Sequence, residues 1–329
     1  MDIKTVDFIG FKDGSASQRQ VIGEAVTEAF RKNGFLKLTN HGISRKTLDG
    51  LFNWSEKFFS LPVEVKQKAP HPSSPTPNRG YSAVGMENTS IHGLAGKGVE
   101  DEKNILVDMK ECFDQGAVDD ELYQNIWLPE SDLPGFRAFM ESYFDICFAV
   151  QLQIMQALAI GLGLPEDTFD KLHDRHENEL RLTHYPEIEA GELLEGSKTR
   201  ISEHTDFGTI TLLFQDSVGG LEVECPDKPG HFEPIESDKV EMIANIGDCL
   251  QRWTNDQLHS TRHRVHISQR DLKAGTKILP SRYSIAFFAK PNRKSSLQPF
   301  AELVEPGQEP KYGNMTAGEF IIQRSSTTY

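Results

Sequence analysis

From Gln18 to Asn33 the apolar side chains Val21, Ile22, Ala25, Val26, Ala29 and Phe30 recur at the spacing of one helical face. Gly34 follows where a left-handed C-cap belongs. Short strands are predicted on either side, over residues 3–9 and Phe35–Leu38, and Asn40-His41-Gly42-Ile43 reads as a turn. A second helix is predicted over 45–69, stopped by Pro70. From Pro70 to Gly116 the periodicity gives way to Pro, Gly, Ser and Asn, which predicts a long loop of the lid or binding type. A long helix runs from about Gly135 to Gly163, with Phe139, Tyr143, Ile146, Val150, Ile154 and Leu158 as its apolar stripe.

Beyond about Leu180 the texture changes. Arg181–Tyr185, Gly208–Phe214, Gly220–Val223, Glu241–Ile246, Arg262–Val265 and Arg282–Phe288 are short apolar runs separated by turn residues. Strands spaced so closely mark a barrel or a sandwich. A last helix, near Ala317–Gln323, follows Thr316 as its N-cap. The predicted plan is one cooperative unit over 1–329: a mostly helical part, 1–179, with the loop 70–116, and a strand-rich core, 180–329, with a C-terminal helix.

Composition narrows the class. Hydrophobic residues at 37% and charged residues at 26% describe a soluble globular protein with a real core. With 49 acidic against 35 basic residues the formal charge is −14, which repels phosphate backbones and anionic membranes. A small molecule is the expected partner, and neither nucleic acid nor a membrane is. The apolar stretch Phe144–Leu164 is interrupted by Asp145, Gln151, Gln153 and Gln156, so it reads as a buried helix. Cys112, Cys147, Cys225 and Cys249 lack CxxC spacing and read as free thiols in a reducing, cytoplasmic setting.

The candidate chemistry starts at His204-Thr205-Asp206. On a strand, residues i and i+2 share a face, so an imidazole and a carboxylate converge. That is two-thirds of a 2-His-1-carboxylate facial triad; standing alone, it also fits a surface turn. The remaining ligand is expected from a distant strand, at His263 within Ser260–Val265. His259 and His266 flank that strand and read as solvated. His41 reads as structural, His184 is out of phase, and His71, His92, His173, His176 and His231 lie in polar, exposed-looking segments. Further on, Arg282 and Ser284 share a strand face. A planar guanidinium beside a hydroxyl is a receptor for a carboxylate, although one Arg on a strand is also an ordinary surface residue. The three motifs in this order are far more specific than any one of them.

Period 2 brings Ala286 and Phe288 onto the face of Arg282 and Ser284, and Arg181 onto that of Thr183 and Tyr185; Phe207 adjoins Asp206. An Arg with two aromatic rings suits a small planar or aromatic substrate, the competing fate of the rings being barrel core. Asn78, Arg79 and Tyr81 in the long loop are candidates to reach the site as a lid.

These motifs stand with Asn33-Gly34-Phe35, Phe58-Phe59, Leu61-Pro62, Asn78-Arg79-Gly80-Tyr81, Lys110-Glu111-Cys112-Phe113-Asp114, His184-Tyr185-Pro186 and Asn245-Ile246-Gly247-Asp248. Together they resemble the isopenicillin N synthase-like branch of the iron(II)/2-oxoglutarate-dependent dioxygenases over nearly the whole chain. The likeness is to fungal members such as thymine-7-hydroxylase and secondary-metabolite oxygenases. The resemblance implies an α+β, mainly β fold: a double-stranded β-helix (jelly roll) with flanking N-terminal helices. It implies Fe(II) on His204, Asp206 and His263, and the distal carboxylate of the cosubstrate 2-oxoglutarate on Arg282 and Ser284. Tyr185 is implied as a further contact to 2-oxoglutarate, with Thr183 where relatives have Asn. The implied reaction uses O2, yields succinate and CO2, and oxidises a substrate C–H bond, as in hydroxylation of a methyl group. Alternatives are an iron oxidase of the same fold that does not consume 2-oxoglutarate, a zinc hydrolase (for which no HExxH motif is present), and a non-catalytic metal-binding relative.

Overall fold

The computed structural model describes residues 3–73, 77–89 and 106–325. In chain order the first elements are β1 (Thr5–Asp7), α1 (Ala16–Asn33), β2 (Phe35–Thr39), α2 (Arg45–Phe59), α3 (Val63–Lys66), β3 (Gly80–Ser82), β4 (Val107–Asp108), β5 (Glu111–Gln115) and α4 (Phe136–Gly161). There follow β6 (Glu179–Tyr185), β7 (Ile188–Glu189), α5 (Ala190–Leu194), β8 (Lys198–Thr199), β9 (Ile201–His204), β10 (Ile210–Gln215), β11 (Leu221–Cys225), β12 (Lys228–Pro234) and β13 (Met242–Ile246). The chain closes with α6 (Asp248–Trp253), β14 (His263–Val265), α7 (Gln269–Ala274), β15 (Ile278–Leu279), β16 (Arg282–Phe288) and α8 (Ala317–Ser325).

Local chemistry explains the helix ends. Ser15 and Gln18 form a reciprocal capping box at the start of α1, and Gly34 closes it at φ 70°. The single helix expected over 45–69 is two: Pro62 has no N–H to continue α2, and α3 restarts after it. At the far end Thr316 and Glu319 exchange hydrogen bonds and cap α8. α4 is long and apolar enough to cross a membrane, but its stripe of Met140, Tyr143, Phe144, Cys147, Ile154 and Leu158 is core.

Two sheets carry the molecule. An eight-stranded sheet runs β1-β2-β13-β10-β16-β6-β5-β3, and a four-stranded sheet runs β12-β11-β14-β9. Helices α1, α2 and α4 cover one face of the larger sheet in the main core. Its other face meets the smaller sheet through Phe35, Tyr185, Leu221, Val223, Ile235, Ile243 and Val265. This is the jelly roll with flanking N-terminal helices.

Two expectations are corrected. The 70–116 stretch is not one loop: it contains β3, β4 and β5, and β5 pairs along β6 in the main sheet. The part expected to be helical therefore supplies four of that sheet's eight strands. The pattern does not predict β12, because Pro229, Gly230 and exposed polar side chains break any alternation; it is an edge strand, where such residues are tolerated.

Candidate active site

Strand register assembles the three metal-type ligands. His204 ends β9 and lies directly opposite His263, the first residue of β14. Asp206 follows in the next loop, whose shape α6 fixes: Asp248 and Cys249 donate backbone N–H groups to the carbonyls of Asp206 and Gly208. His204 Nε2 and His263 Nε2 lie 3.9 and 3.8 Å from Asp206 Oδ1. Each imidazole is oriented from behind, with Nδ1 bonded to the Ser202 carbonyl at 2.8 Å and to the Thr261 carbonyl at 3.1 Å. An Nδ1–H donated in this way leaves Nε2 as the lone pair facing the centre. Asp206 Oδ2 accepts from Thr211 Oγ1 at 2.6 Å and Asn245 Nδ2 at 2.7 Å, so Oδ1 is the oxygen left toward the imidazoles. Burial opposes ionisation of Asp206, but His263, His204, Asn245 and Thr211 outweigh it and hold the carboxyl below its usual range. Burial, then the neighbouring His263, pushes His204 down to about 3, so its ring is neutral near pH 7. The three side chains can thus offer one atom each to a metal ion.

Arg282 lies deeper and is 1% exposed. Its Nη2 donates to Gln215 Oε1 at 2.7 Å, and its guanidinium lies 4.7 Å over the Tyr185 ring. Its Nε and Nη1 are buried with no hydrogen-bond partner among the described residues. Buried donors are rarely left unpaired, and these two form one edge of a carboxylate fork. A second buried guanidinium, Arg200, is depressed to about 10, by burial and then by Arg282, so an anion here would relieve both. Ser284 sits beside Arg282 on the cavity wall and opposes Thr183 across the sheet; Arg282 opposes Tyr185.

These groups line a cavity of about 200 Å³. Thr183, Tyr185, Phe207, Ala286 and Phe288 all border it, and so do Asn78 and Arg79. Arg181 borders it too, but not as a donor held ready for a ligand. It binds Asp114 through Nε at 2.7 Å and Nη2 at 3.0 Å, and Glu87 through Nη1 at 2.8 Å. Asn78 and Arg79 are likewise held, by Glu179 and Asp120. Tyr81 is not a wall residue: its hydroxyl donates to Glu111 Oε2 at 2.6 Å, and its ring packs on Phe58. Among the histidines expected to be exposed, His173 is fully buried, bonded to the Phe169 carbonyl and Thr209 Oγ1, and His71 is buried as well. His92 lies outside the described residues.

Sequence reasoning missed the charged wall. Lys110 and Arg181 both pair with Glu87, Lys290 pairs with Glu179 at 2.7 Å, and Arg293 pairs with Asp120 and Glu177. Burial disfavours the Glu87 carboxylate, but Arg181 and Lys110 hold its pKa well below the carboxylate range. It also missed that α8 closes one side through Gly318, Ile321 and Ile322. Arg324 of α8 lies over the Phe207 ring and donates to Thr205 Oγ1 at 2.9 Å, beside Asp248. Arg181→Ala would leave Asp114 buried without Arg181 and Glu87 with Lys110 alone. Its expected effect is a loss of roughly 3–5 kcal/mol of stability, read by urea unfolding. An unchanged midpoint would show that the pairs do not hold this wall.

Comparison with known proteins follows the same lines. Residues 3–130 match the N-terminal model of the non-haem dioxygenases in morphine synthesis, and residues 177–291 match the 2OG-Fe(II) oxygenase superfamily. The chain is 44% identical over its full length, and that of the relative, to the proline hydroxylase buaE of Petromyces alliaceus. It is equally 44% identical, with full coverage of both, to the 2-oxoglutarate-dependent dioxygenase gloF of Glarea lozoyensis. Among solved structures, the full-length thymine-7-hydroxylase of Neurospora crassa in complex with alpha-KG (2-oxoglutarate) and thymine superimposes with a TM-score of 0.88 at 35% identity, covering 99% of this chain and 97% of that one.

Proposed function

This chain belongs to the 2OG-Fe(II) oxygenase superfamily, and within it we propose that the prime substrate is a small cyclic amino acid of about proline's size. It is an oxidoreductase that requires Fe(II), 2-oxoglutarate and O2. When bound, iron and 2-oxoglutarate supply the oxidising power: O2 is consumed, the 2-oxo acid leaves as succinate and CO2, and one oxygen atom goes into the substrate C–H bond. In this reading His204, Asp206 and His263 hold the metal. The unpaired edge of Arg282, with Ser284, takes the distal carboxylate of 2-oxoglutarate, and Tyr185 and Thr183 border it. Asn245 and Thr211 keep Asp206 ionised and turned toward the metal.

The observation that carries the substrate reading is the charged wall around so small a cavity. At about 200 Å³ it lies below the ~300–1,000 Å³ of sites for drug-sized ligands, and 2-oxoglutarate takes part of it. Lys110, Arg181 and Lys290 line it together with Glu87 and Glu179. These charges are paired with one another, so a ligand carrying both a carboxylate and an ammonium leaves the balance of the wall unchanged, whereas a singly charged ligand would bury a net charge. The proline hydroxylase among the relatives supports this. A second reading, a planar ring such as a pyrimidine base, is favoured by Phe207 and Phe288 on the same cavity and by the thymine complex of the Neurospora protein. The four cysteines, all buried and unpaired, support a reducing cytoplasmic setting.

Succinate release, counted against product, separates the two. Proline should support tightly coupled turnover and thymine should not; coupled turnover with thymine alone would transfer the assignment to the planar ring. In either case Phe288→Ala should raise the KM of the prime substrate about 2- to 10-fold, equivalent to ~0.5–1.5 kcal/mol of ring packing, with iron binding unchanged.

A further inference from the structure

Away from the cavity wall, the hairpin of β11 and β12 gathers Cys225, His231 and Glu233, and we propose that these three side chains form a second metal site, suited to zinc. One donor atom from each lies within 4.8 Å of the other two. Tetrahedral zinc with bonds of ~2.0–2.3 Å sets its ligand atoms about 3.3–3.8 Å apart, so small side-chain rotations complete the site. A thiol, an imidazole and a carboxylate are a different set from an acidic surface cluster: thiolate selects zinc over magnesium or calcium. A water molecule takes the fourth position.

The backbone supports this gathering. The β11–β12 register shifts between Glu224 and Cys225. Bulges of this kind occur at sheet edges and re-aim side chains. Among the described residues β12 is the edge of the four-stranded sheet, paired with β11. A metal bound at its tip is a cross-link over that edge. The location also bears on the active site. Glu233 opposes Val223, Val223 opposes His263, and His263 opposes His204. Directly opposed residues share a face, so Glu233 lies in one row with both histidines, about 10 Å or two strand spacings from His263. Two of the three donors are accessible, while Cys225 is buried at 8% exposure. The His231 and Glu233 side chains are 55% and 33% exposed. The other cysteines are sealed in the core, where burial pushes the thiols of Cys112 and Cys147 up to about 11 and 12.

Cobalt(II) titration of the full-length, metal-free chain tests the proposal, because thiolate ligation adds a near-ultraviolet charge-transfer band that the sulfur-free set His204, Asp206 and His263 cannot give. The expected result is two equivalents of cobalt per chain, one of them with the band. Cys225→Ser should lose the band and one equivalent and keep the other; His204→Ala should keep the band. His231→Ala, at an exposed position, should weaken the banded site by about 10-fold or more even if the serine variant misfolds. A single equivalent without a thiolate band, or a band that persists in Cys225→Ser, would overturn the site.

Discussion

His263→Ala is expected to bring turnover to background and to remove stoichiometric iron binding, while the fold survives. The same holds for His204→Ala and Asp206→Ala. The reason is geometric. The three donor atoms come from β9, its following loop and β14, and each is aimed by a hydrogen bond from behind. Removing one ligand leaves two, too few to retain a divalent ion against water. The neighbouring histidines are the internal control: His259 is exposed and His266 is not part of the cluster. His259→Ala should therefore keep full activity. Iron counted per chain, with succinate formation, decides it; full activity in His263→Ala would remove that residue from the centre.

Arg282→Ala is the second large effect. The guanidinium is almost fully buried, with Nε and Nη1 unpaired among the described residues. A carboxylate deprived of that partner loses roughly 2–5 kcal/mol, which is about 30-fold to several thousand-fold in affinity. The KM for 2-oxoglutarate should rise by that factor, and the prime-substrate KM far less. Arg282→Lys should recover only part of the loss, since an ammonium cannot present the planar fork. An unchanged requirement for 2-oxoglutarate in Arg282→Ala would place the distal carboxylate elsewhere.

Much of this centre is legible in the sequence because it rests on local alternation. His204 and Asp206, Arg282 and Ser284, and Thr183 and Tyr185 are i, i+2 pairs, and period 2 is a property of the strand alone. The caps at Gly34 and Thr316 are legible for the same reason. What the sequence hides depends on distant partners. β5 reads Glu-Cys-Phe-Asp-Gln, and its acids are buried because Lys66 and Arg181 neutralise them and His184 hydrogen-bonds Glu111. No hydrophobic pattern marks such a strand, so by pattern it is indistinguishable from loop. Arg181 reads as a donor aimed at substrate because its partner Glu87 is 94 residues away in sequence. His173 lies in a polar run but is packed edge-on against Trp253, which its own segment cannot reveal. Likewise the pattern gives α8 as a helix, but not that Ile321 and Ile322 face the cavity.

Iron(II) on His204, Asp206 and His263 and 2-oxoglutarate anchored at Arg282 should meet in one chain. Anaerobic titration of the iron(II)-loaded protein with 2-oxoglutarate, followed by the visible charge-transfer absorption of an iron-chelated 2-oxo acid, tests it most directly. The expected band saturates at one 2-oxoglutarate per chain, is absent in His263→Ala, and in Arg282→Ala develops only at far higher 2-oxoglutarate concentration. No band in the unaltered protein, or an undiminished one in His263→Ala, would contradict it.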